Sequence, residues 1–277
     1  MNETMSQTEL ICPVCRRPLA VSERAVGCEA GHSFDVAREG YVNLLVGKAP
    51  GALQGDNAEM VRARRAFLAR GYYRPLAEAV AAGVGADRPR VVADFGCGEG
   101  YYLGQLMRSP GLEHVRAYGT DISKPAIVAA AKAYPAVRWA VADTNRLIPL
   151  ADGSVDAAIN VFAPRNAKEF ARVIRTGGRL VIAMPGAGHL ADLRERFGLI
   201  GIEDDKPAKT NAGLTEFELL DTKRLTDEIR LRAAGLRDLL EMTPNARHLS
   251  EQARTEIGSL GETATHIEFE VLIFGRR

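Results

Sequence analysis

The stretch Val91–Gly100, VVADFGCGEG, decides the fold of this chain. It starts as an apolar strand, Val91–Phe95, and continues into a loop that has glycine at every second position. The following segment, Tyr101–Arg108, is predicted to be a helix. Glycines in a turn from a strand to a helix allow a ligand to approach the backbone N–H groups closely. The stretch therefore predicts the first part of a ligand-binding βαβ unit.

The chain on either side of this stretch alternates between strands and helices. Further strands are predicted at Val115–Thr120, Val137–Val141, Val155–Phe162, Gly178–Met184 and, near a sheet edge, Thr265–Phe274. Helices are predicted at Asn57–Gly71, Arg74–Ala82, Lys124–Ala133 and Ala167–Ile174, and a mobile loop at Glu203–Gly213. Strands joined by helices form parallel, doubly wound sheets, so the predicted fold class is α/β and Rossmann-like.

The loop itself has the form D-x-G-x-G-x-G, which resembles that of class I S-adenosylmethionine-dependent methyltransferases. The candidate cofactor-binding residues of the loop are Asp94, Gly96, Gly98, Glu99 and Gly100. The spacing differs from G-x-G-x-x-G, which disfavours a dinucleotide pyrophosphate.

Acidic residues after the next two strands extend this candidate cofactor site. Asp121 and Ile122 end the second strand, where a carboxylate accepts hydrogen bonds from both ribose hydroxyls. Asp143 follows the third strand, where enzymes of this class hold the adenine amine. Taken singly, Asp121 would be a helix cap and Asp143 a turn residue. Together with the loop they predict a site for S-adenosylmethionine.

Composition excludes several classes of protein. The chain has 277 residues with 46% hydrophobic and 26% charged side chains, which is ordinary for a globular protein. Its 36 basic and 35 acidic residues give a net charge of +1, so any contact with nucleic acid must come from a local patch. No Ser-His-Asp set or carboxylate pair competes for the chemistry. Cys97, inside the glycine loop, is interpreted as a small loop residue.

The other three cysteines crowd the N-terminus. Cys12 and Cys15 form a C-x2-C pair, and Cys28 and His32 follow as C-x3-H. Zinc prefers four tetrahedral sulfur and imidazole ligands in closed structural sites. The four residues therefore predict a structural zinc site, with turns at Gly27 and Gly31. The alternative is a set of unrelated cysteines and a surface histidine.

These features divide the chain into a zinc ribbon at residues 8–46, a glycine-rich linker at 47–57 and a methyltransferase domain at 58–277. The polar first ten residues do not resemble a signal peptide, and no apolar run is long enough to span a membrane. We therefore expect a cytoplasmic protein that makes no membrane contact.

The two parts together resemble the guanine-N1 methyltransferases of large-subunit ribosomal RNA, over nearly the whole chain. The resemblance is carried by CPVC (12–15), CEAGHSFDVAREGYVNLL (28–45), MVRARRAFLARGYYRPL (60–76), DFGCGEGYY (94–102), NVFAPRN (160–166) and MPGAGHL (184–190). The second of these is the most specific, because generic methyltransferases have no equivalent. NVFAPRN is most similar to the Gram-positive and actinobacterial branch, which includes tylosin-resistance enzymes.

The resemblance implies a ribbon that helps to grip a hairpin of 23S ribosomal RNA near the peptide exit tunnel. It implies that Tyr73 lies against the cofactor, that Gly98 and Glu99 belong to the cofactor loop, and that His189 lies near the methionine end. A homodimer is implied by analogy only. The alternatives are a packed aromatic residue at Tyr73 and a surface histidine at His189.

The acceptor base is expected at the carboxyl end of the fourth strand, beside the cofactor. There Asn160 could hold the base edge, Phe162 could stack on it, and Arg165 could stabilise a developing O6 oxyanion. The alternative is that Phe162 and its neighbours only shape the turn. The sequence names no general base.

An arginine-rich stretch after the linker is the candidate contact with RNA phosphates. It comprises Arg62, Arg64, Arg65, Arg70 and Arg74, while Arg16 and Arg17 add charge to the ribbon. Five arginines cannot all lie on one face of a helix, so about three are expected to reach phosphate.

One departure from the family concerns the segment after Met242-Thr243-Pro244. Relatives usually have an aromatic residue there, whereas Asn245–His248 has none and Trp139 is the only tryptophan. A small-molecule methyltransferase from an antibiotic pathway therefore stays open as the alternative function. A zinc-ribbon RNA-binding protein with a vestigial cofactor pocket is disfavoured by the intact glycine loop and Asp121.

Overall fold

The computed structural model describes residues 6–22, 24–47, 55–85, 89–112, 114–202, 205–243 and 250–277. Most of the predicted linker, the first two residues of the predicted loop at Glu203–Gly213, and the segment Asn245–His248 lie outside these ranges. No helix within the described ranges is long and apolar enough to cross a membrane.

Two sheets organise the described chain. The N-terminal sheet is antiparallel and has the order β1-β2-β3-β4, with β1 at Ser6–Ile11, β2 at Pro18–Val21, β3 at Ala25–Gly27 and β4 at Ser33–Asp35. The larger sheet contains β5 (Tyr41–Asn43), β6 (Val91–Phe95), β7 (Arg116–Asp121), β8 (Arg138–Val141), β9 (Val155–Val161), β10 (Ile174–Pro185), β11 (Phe217–Leu231) and β12 (Thr263–Arg276). Its order is β11-β12-β10-β9-β6-β7-β8-β5.

The large sheet is parallel from β5 to β10, and β11 and β12 are added antiparallel at its other edge. Its central strands β6 and β9 are buried at every position. Two hydrophobic cores are made by alternate residues of these strands; for example, Val92 belongs to one core and Val91 to the other. Burial on both faces is the property of a doubly wound sheet, so the predicted fold class is confirmed.

Helices cover both faces of this sheet. They are α1 (Ala58–Ala69), α2 (Arg74–Val84), α3 (Tyr101–Leu106), α4 (Lys124–Ala133), α5 (Ala167–Val173), α6 (Ala191–Phe197), α7 (Lys206–Gly213), α8 (Ala233–Glu241) and α9 (Glu251–Ser259). The side chain of Asn57 caps α1 by accepting hydrogen bonds from the backbone N–H groups of Glu59 and Met60.

The predicted mobile loop at Glu203–Gly213 is wrong where the structure describes it. Residues Lys206–Gly213 form α7, which has a proline in its first turn and buries Thr210. Proline fits the first turn of a helix because its missing N–H needs no partner there. This short helix is mostly exposed, so its polar sequence lacks the apolar periodicity that would have predicted a helix.

The N-terminal sheet is held directly against the large one. The backbone N–H of Ile11 donates to Pro149 O at 3.1 Å, and that of Ala151 donates to Glu9 O at 2.8 Å. The Tyr118 hydroxyl on β7 donates to the carboxylate of Glu9. In addition β5, which lies inside the predicted ribbon block at residues 8–46, is hydrogen-bonded to β8. The ribbon block is therefore anchored to β7, to β8 and to the segment between β8 and β9.

Candidate functional site

The predicted zinc ligands converge in the N-terminal sheet. The ligand atoms of Cys12, Cys15, Cys28 and His32 all lie within 4.8 Å of one another. The Sγ atoms of Cys15 and Cys28 are 3.6 Å apart, and Nδ1 of His32 is 3.4 Å from Sγ of Cys28. Tetrahedral ligands at usual zinc bond lengths lie roughly 3.5–3.8 Å from each other. The donor set and its spacing therefore fit a closed structural zinc site with His32 ligating through Nδ1.

The turns that carry these ligands differ in part from expectation. Gly31 has a φ of +83° and closes the second turn, as predicted. Gly27 instead lies in β3, paired with Ala20, so its predicted turn is wrong. In the first turn Arg16 adopts the left-handed conformation, with a φ of +59°. The backbone N–H of Arg16 donates to Cys12 O at 2.8 Å, which closes the knuckle around the metal site.

The glycine loop requires glycine for both conformation and space. Gly96, Gly98 and Gly100 all have positive φ values. A Cβ atom at Gly96 would lie 2.4 Å from the Cβ of Ala163, and one at Gly100 would lie 2.6 Å from the Trp139 ring. The loop is therefore packed between the β8 side of the sheet and the turn after β9, where the acceptor site was predicted.

Three acidic side chains in and beside this loop have raised pKa values. Burial raises the pKa of Glu99 to about 7 against the opposing effect of Arg64, and it raises the pKa of Asp121. The pKa of Asp94 lies well above its usual value because of burial and the nearby charges of Asp121 and Glu99. Asp94 is 1% exposed, and among the described residues its Oδ1 atom has no hydrogen-bond partner. Such a cluster favours a cationic ligand, which would restore the charged form of the carboxylates.

The residues expected around the ribose and adenine lie at adjacent strand ends. Asp121 accepts hydrogen bonds from the backbone N–H groups of Gly98 at 2.9 Å and Ser123 at 2.7 Å. Ile122 is half-buried next to it, and Asp143 accepts from the backbone N–H of Asn145 at 3.0 Å, beyond β8. The structure thus places Asp121 against the glycine loop, while Ile122 and Asp143 follow the ends of β7 and β8. S-Adenosylmethionine carries a sulfonium and an ammonium group, so the partnerless carboxyl oxygen and the glycine cradle fit it.

An aromatic cluster adjoins the glycine loop. Phe162 has a φ of +53° and is 43% exposed, which is unusual for a large apolar side chain. Its ring lies 5.7 Å from Phe269, 6.2 Å from Tyr102 and 6.3 Å from Tyr73. The sequence prediction missed Tyr102 and Phe269. Tyr102 directly follows Tyr101 in the GYY stretch after the loop, which was the available signal.

His189 is buried in this cluster and is not a surface residue. Its Nδ1 accepts from the backbone N–H of Glu268 at 3.2 Å, so the neutral ring carries its proton on Nε2. Nε2 lies 3.4 Å from the hydroxyl of Tyr73. Burial, together with the charge of Arg194, lowers the pKa of His189 to about 4. The histidine is therefore neutral near pH 7 and packs against Tyr73, which is itself 2% exposed.

The two remaining predicted site residues flank Phe162. Asn160 is fully buried, and its Nδ2 donates to Phe95 O at 2.7 Å and to Pro164 O at 3.1 Å. It thereby ties the end of β6 to the turn after β9. Arg165 is half-buried, with Nη2 3.8 Å from Sδ of Met184. Asn160 Oδ1 and Arg165 Nε are buried without a partner among the described residues.

Arg64 is a site residue that the sequence prediction placed elsewhere. It was grouped with the RNA-contacting arginines, but it is half-buried over the glycine loop and forms an ion pair with Asp56. Its Nη2 donates to Met242 O at 2.8 Å, and its Nη1 would be 3.2 Å from a Cβ atom at Gly98. Arg64 therefore joins α1 to α8 above the candidate cofactor site.

Comparisons with known proteins agree with both halves of this architecture. A zinc-ribbon family described as "RlmA, N-terminal" matches residues 10–48, and a methyltransferase domain family matches residues 93–182. Among solved structures, YcgJ of Bacillus subtilis superposes with a TM-score of 0.51 at 16% identity, covering 73% of this chain and 97% of that one. A Bacillus halodurans protein described as a "putative methyltransferase" superposes with a TM-score of 0.51 at 12% identity, covering 72% of this chain and 97% of that one. These two likenesses establish the fold alone.

Sequence relatives are much more similar. The chain is 39% identical over 271 residues to the 23S rRNA (guanine(748)-N(1))-methyltransferase of Streptomyces fradiae, with 95% of each chain covered. It is 38% identical to a Micromonospora griseorubida protein named "Putative 23S rRNA (guanine-N(1)-)-methyltransferase", with 92% of this chain and 93% of that one covered. The protein is an S-adenosylmethionine-dependent methyltransferase with a structural zinc site in its ribbon. It belongs to the family of 23S rRNA guanine-N1 methyltransferases.

Proposed function

We propose that the protein methylates N1 of a guanine in a hairpin of 23S ribosomal RNA. The observation that carries this proposal is Phe162, an exposed aromatic ring on a left-handed residue, beside the glycine loop, in a chain of this family. Enzymes that act on a base in a stem must take it out of the stack or find it already open, and they hold it by stacking. The half-exposed ring of Phe162, which packs near Tyr73, Tyr102 and Phe269, can stack on such a base.

The cofactor-binding set proposed for this chain consists of the glycine loop, the residues that follow β7 and β8, and two buried side chains near Phe162. It comprises Tyr73, Asp94, Gly96, Gly98, Glu99, Gly100, Asp121, Ile122, Asp143 and His189. Tyr73 and His189 contribute packing, since both are buried and His189 is neutral near pH 7. The acidic residues contribute the negative charge that a cationic cofactor requires.

The chain's own residues would prepare the base in three ways. When bound, S-adenosylmethionine supplies an electrophilic methyl group for in-line displacement by guanine N1. Phe162 stacks on the base and excludes water from it. Arg165 stabilises negative charge at O6 as N1 releases its proton to bulk solvent. Asn160 contributes only through Oδ1, because both N–H donors of its amide already hold the turn.

Two further features belong to this proposal. The relatives are named for action on 23S ribosomal RNA, which supports an RNA substrate for this chain. The proposal extends this to a hairpin of that RNA, reached in the cytoplasm. A homodimer, implied by the resemblance, would let two ribbons approach one RNA.

Transfer of labelled methyl from S-adenosylmethionine to unmodified, transcribed 23S ribosomal RNA tests the proposal. We expect label at one guanine, recovered as N1-methylguanine after nuclease digestion and mass spectrometry. Transfer to no site on the RNA contradicts the proposal. Transfer confined to small-molecule acceptors supports the alternative of an antibiotic-pathway enzyme.

A further inference from the structure

A basic groove lies on the outer surface of the helical layer, between α1, α3 and the end of α4. Its volume is about 790 Å³. Its charged walls consist of four exposed arginines, two on α1, one at the start of α2 and one after α3: Arg62, Arg65, Arg74 and Arg108. The groove is thus a concentrated positive surface in a chain whose net charge is only +1.

The structure separates these arginines from their neighbours in sequence. Arg64 forms an ion pair with Asp56, and Arg70 forms one with Asp238 at 2.6 Å, so both are neutralised within the fold. Within the described ranges, by contrast, no carboxylate forms an ion pair with Arg62, Arg65 or Arg74. The arginines that line the groove therefore keep their charge and hydrogen-bond donors for a ligand.

Among the residues that the structure describes, one acidic side chain lines the groove. Glu99 lies at its inner end, 6% exposed, and burial raises its pKa to about 7. One buried carboxyl group compensates little of the charge of four exposed guanidinium groups. The groove is consequently suited to a polyanion.

The other walls provide contacts that suit nucleotides. Tyr101 and Tyr134 line the groove, and the guanidinium carbon of Arg108 lies 5.8 Å from the centre of the Tyr134 ring. Gln105 adds an amide group. Arginine and tyrosine side chains combine phosphate binding with surfaces on which bases and riboses pack.

The groove adjoins the methyl-transfer site through the first turn of α3. Tyr101 faces the groove, and the next residue, Tyr102, lies 6.2 Å from Phe162. The rings of Tyr101 and Tyr102 are 5.2 Å apart. An RNA strand bound in the groove would therefore pass close to Phe162, the residue proposed to stack on the acceptor base.

We propose that this groove binds the phosphodiester backbone of the RNA whose guanine is methylated, with Arg62, Arg65, Arg74 and Arg108 on the phosphates. This inference rests on the proposed function and adds the surface that positions the substrate. Arginine contacts to phosphate fix the register of a nucleic acid but do not read its sequence. The groove would hold the stem while the selected base enters the aromatic cluster.

The test is the salt dependence of binding to unmodified, transcribed 23S ribosomal RNA. Each phosphate contact contributes about 0.9 to the slope of log affinity against log salt for a duplex and about 0.7 for a single strand. We expect the double variant Arg62→Gln/Arg65→Gln to lower this slope by about 2 and to weaken binding on the order of tenfold at 0.1 M salt. KM for RNA should rise while kcat changes little.

The matched control is Lys223→Gln, which removes one exposed positive charge from the edge strand β11. It should leave both slope and affinity near their wild-type values. Arg62→Lys/Arg65→Lys, which preserves the charge, should recover most of the slope. Thermal unfolding and S-adenosylmethionine affinity establish that each variant is folded.

Two outcomes separate the groove from the proposed function. In the first, the wild-type protein methylates the RNA, but Arg62→Gln/Arg65→Gln binds RNA with unchanged affinity and salt dependence. This result would contradict RNA binding in the groove and leave the proposed function intact. A wild-type protein that neither binds nor methylates the RNA overturns both.

Discussion

Phe162 shows at the scale of one residue how this fold exposes an aromatic ring. Its left-handed backbone costs roughly 1–2 kcal/mol for a residue with a side chain. Such local strain persists where the surrounding structure imposes it, and Asn160 imposes it here by fixing the turn from both sides.

Replacing Phe162 by glycine should separate stability from activity. Phe162→Gly relieves the left-handed backbone but also removes a ring that is more than half buried against Tyr73, Tyr102 and Phe269. The two effects oppose each other, so the free energy of unfolding should fall by only about 1–2 kcal/mol. Loss of stacking should lower kcat/KM for RNA by about tenfold or more. Denaturant unfolding and methyl-transfer rates measure the two effects. Phe162→Tyr should retain most activity; an active glycine variant would exclude stacking by Phe162.

Glu99 links cofactor binding to pH. Its pKa is raised from 4.5 to about 7, so the ligand-free protein should lose stability as the pH rises through this window, with Asp94 and Asp121 adding to the effect. A cationic cofactor favours the ionised carboxylate, and binding should therefore release protons and tighten as the pH rises from 6 towards 8.

Calorimetry in buffers of different ionisation enthalpy measures these protons. In Glu99→Gln we expect fewer protons to be released at pH 7 and a weaker dependence of affinity on pH. The same number of protons in both proteins would show that Glu99 stays protonated when the cofactor binds.

Arg64 illustrates what sequence could not show about single residues. The composition of α1 identifies a run of arginines, and helical spacing limits how many share a face. The partners that decide their roles, Asp56, Asp238 and Met242, lie either outside the helix or far along the chain. Only tertiary structure distinguishes the arginine over the cofactor loop from those in the groove.

At the scale of elements, the inner strands of the large sheet and β12 were predictable, whereas its two edge strands, β5 and β11, were not. Strands β6 and β9 are buried on both faces, so their apolar runs are clear in the sequence. Strand β11 is mostly exposed and polar, and its pairing is with β12. Its hydrogen bonds come from a partner more than thirty residues away, for which no local pattern exists.

The zinc ribbon should depend on its metal more than the methyltransferase sheet does. Its short strands bury few side chains, and metal binding supplies much of the folding energy of such small units. We expect one zinc ion per chain by native mass spectrometry, and loss of zinc together with a lower first unfolding transition in Cys28→Ser.

Cys97→Ala is the matched cysteine control. Cys97 is buried in the glycine loop, away from the metal cluster, so this variant should keep one zinc per chain. A Cys28→Ser protein with full zinc content and unchanged unfolding would contradict the Cys3His site.

The whole molecule combines three surfaces around one sheet. The glycine loop and aromatic cluster lie at the carboxyl ends of the parallel strands, the groove lies on the helical layer beside them, and the ribbon is fixed to the sheet through β1 and β5. The motifs predicted the loop and the metal ligands because each lies within one or two short segments. The groove draws on three separate segments of the chain and could be found only from the assembled fold.

The most direct test is the state of 23S ribosomal RNA in cells that lack the protein. N1-methylguanine cannot form a Watson–Crick pair, so it stops reverse transcription at the modified position. We expect one such stop in wild-type cells, its absence without the protein, and its return with the wild-type gene but not with Phe162→Gly. Identical stops and identical N1-methylguanine content in both kinds of cell would contradict the proposed function.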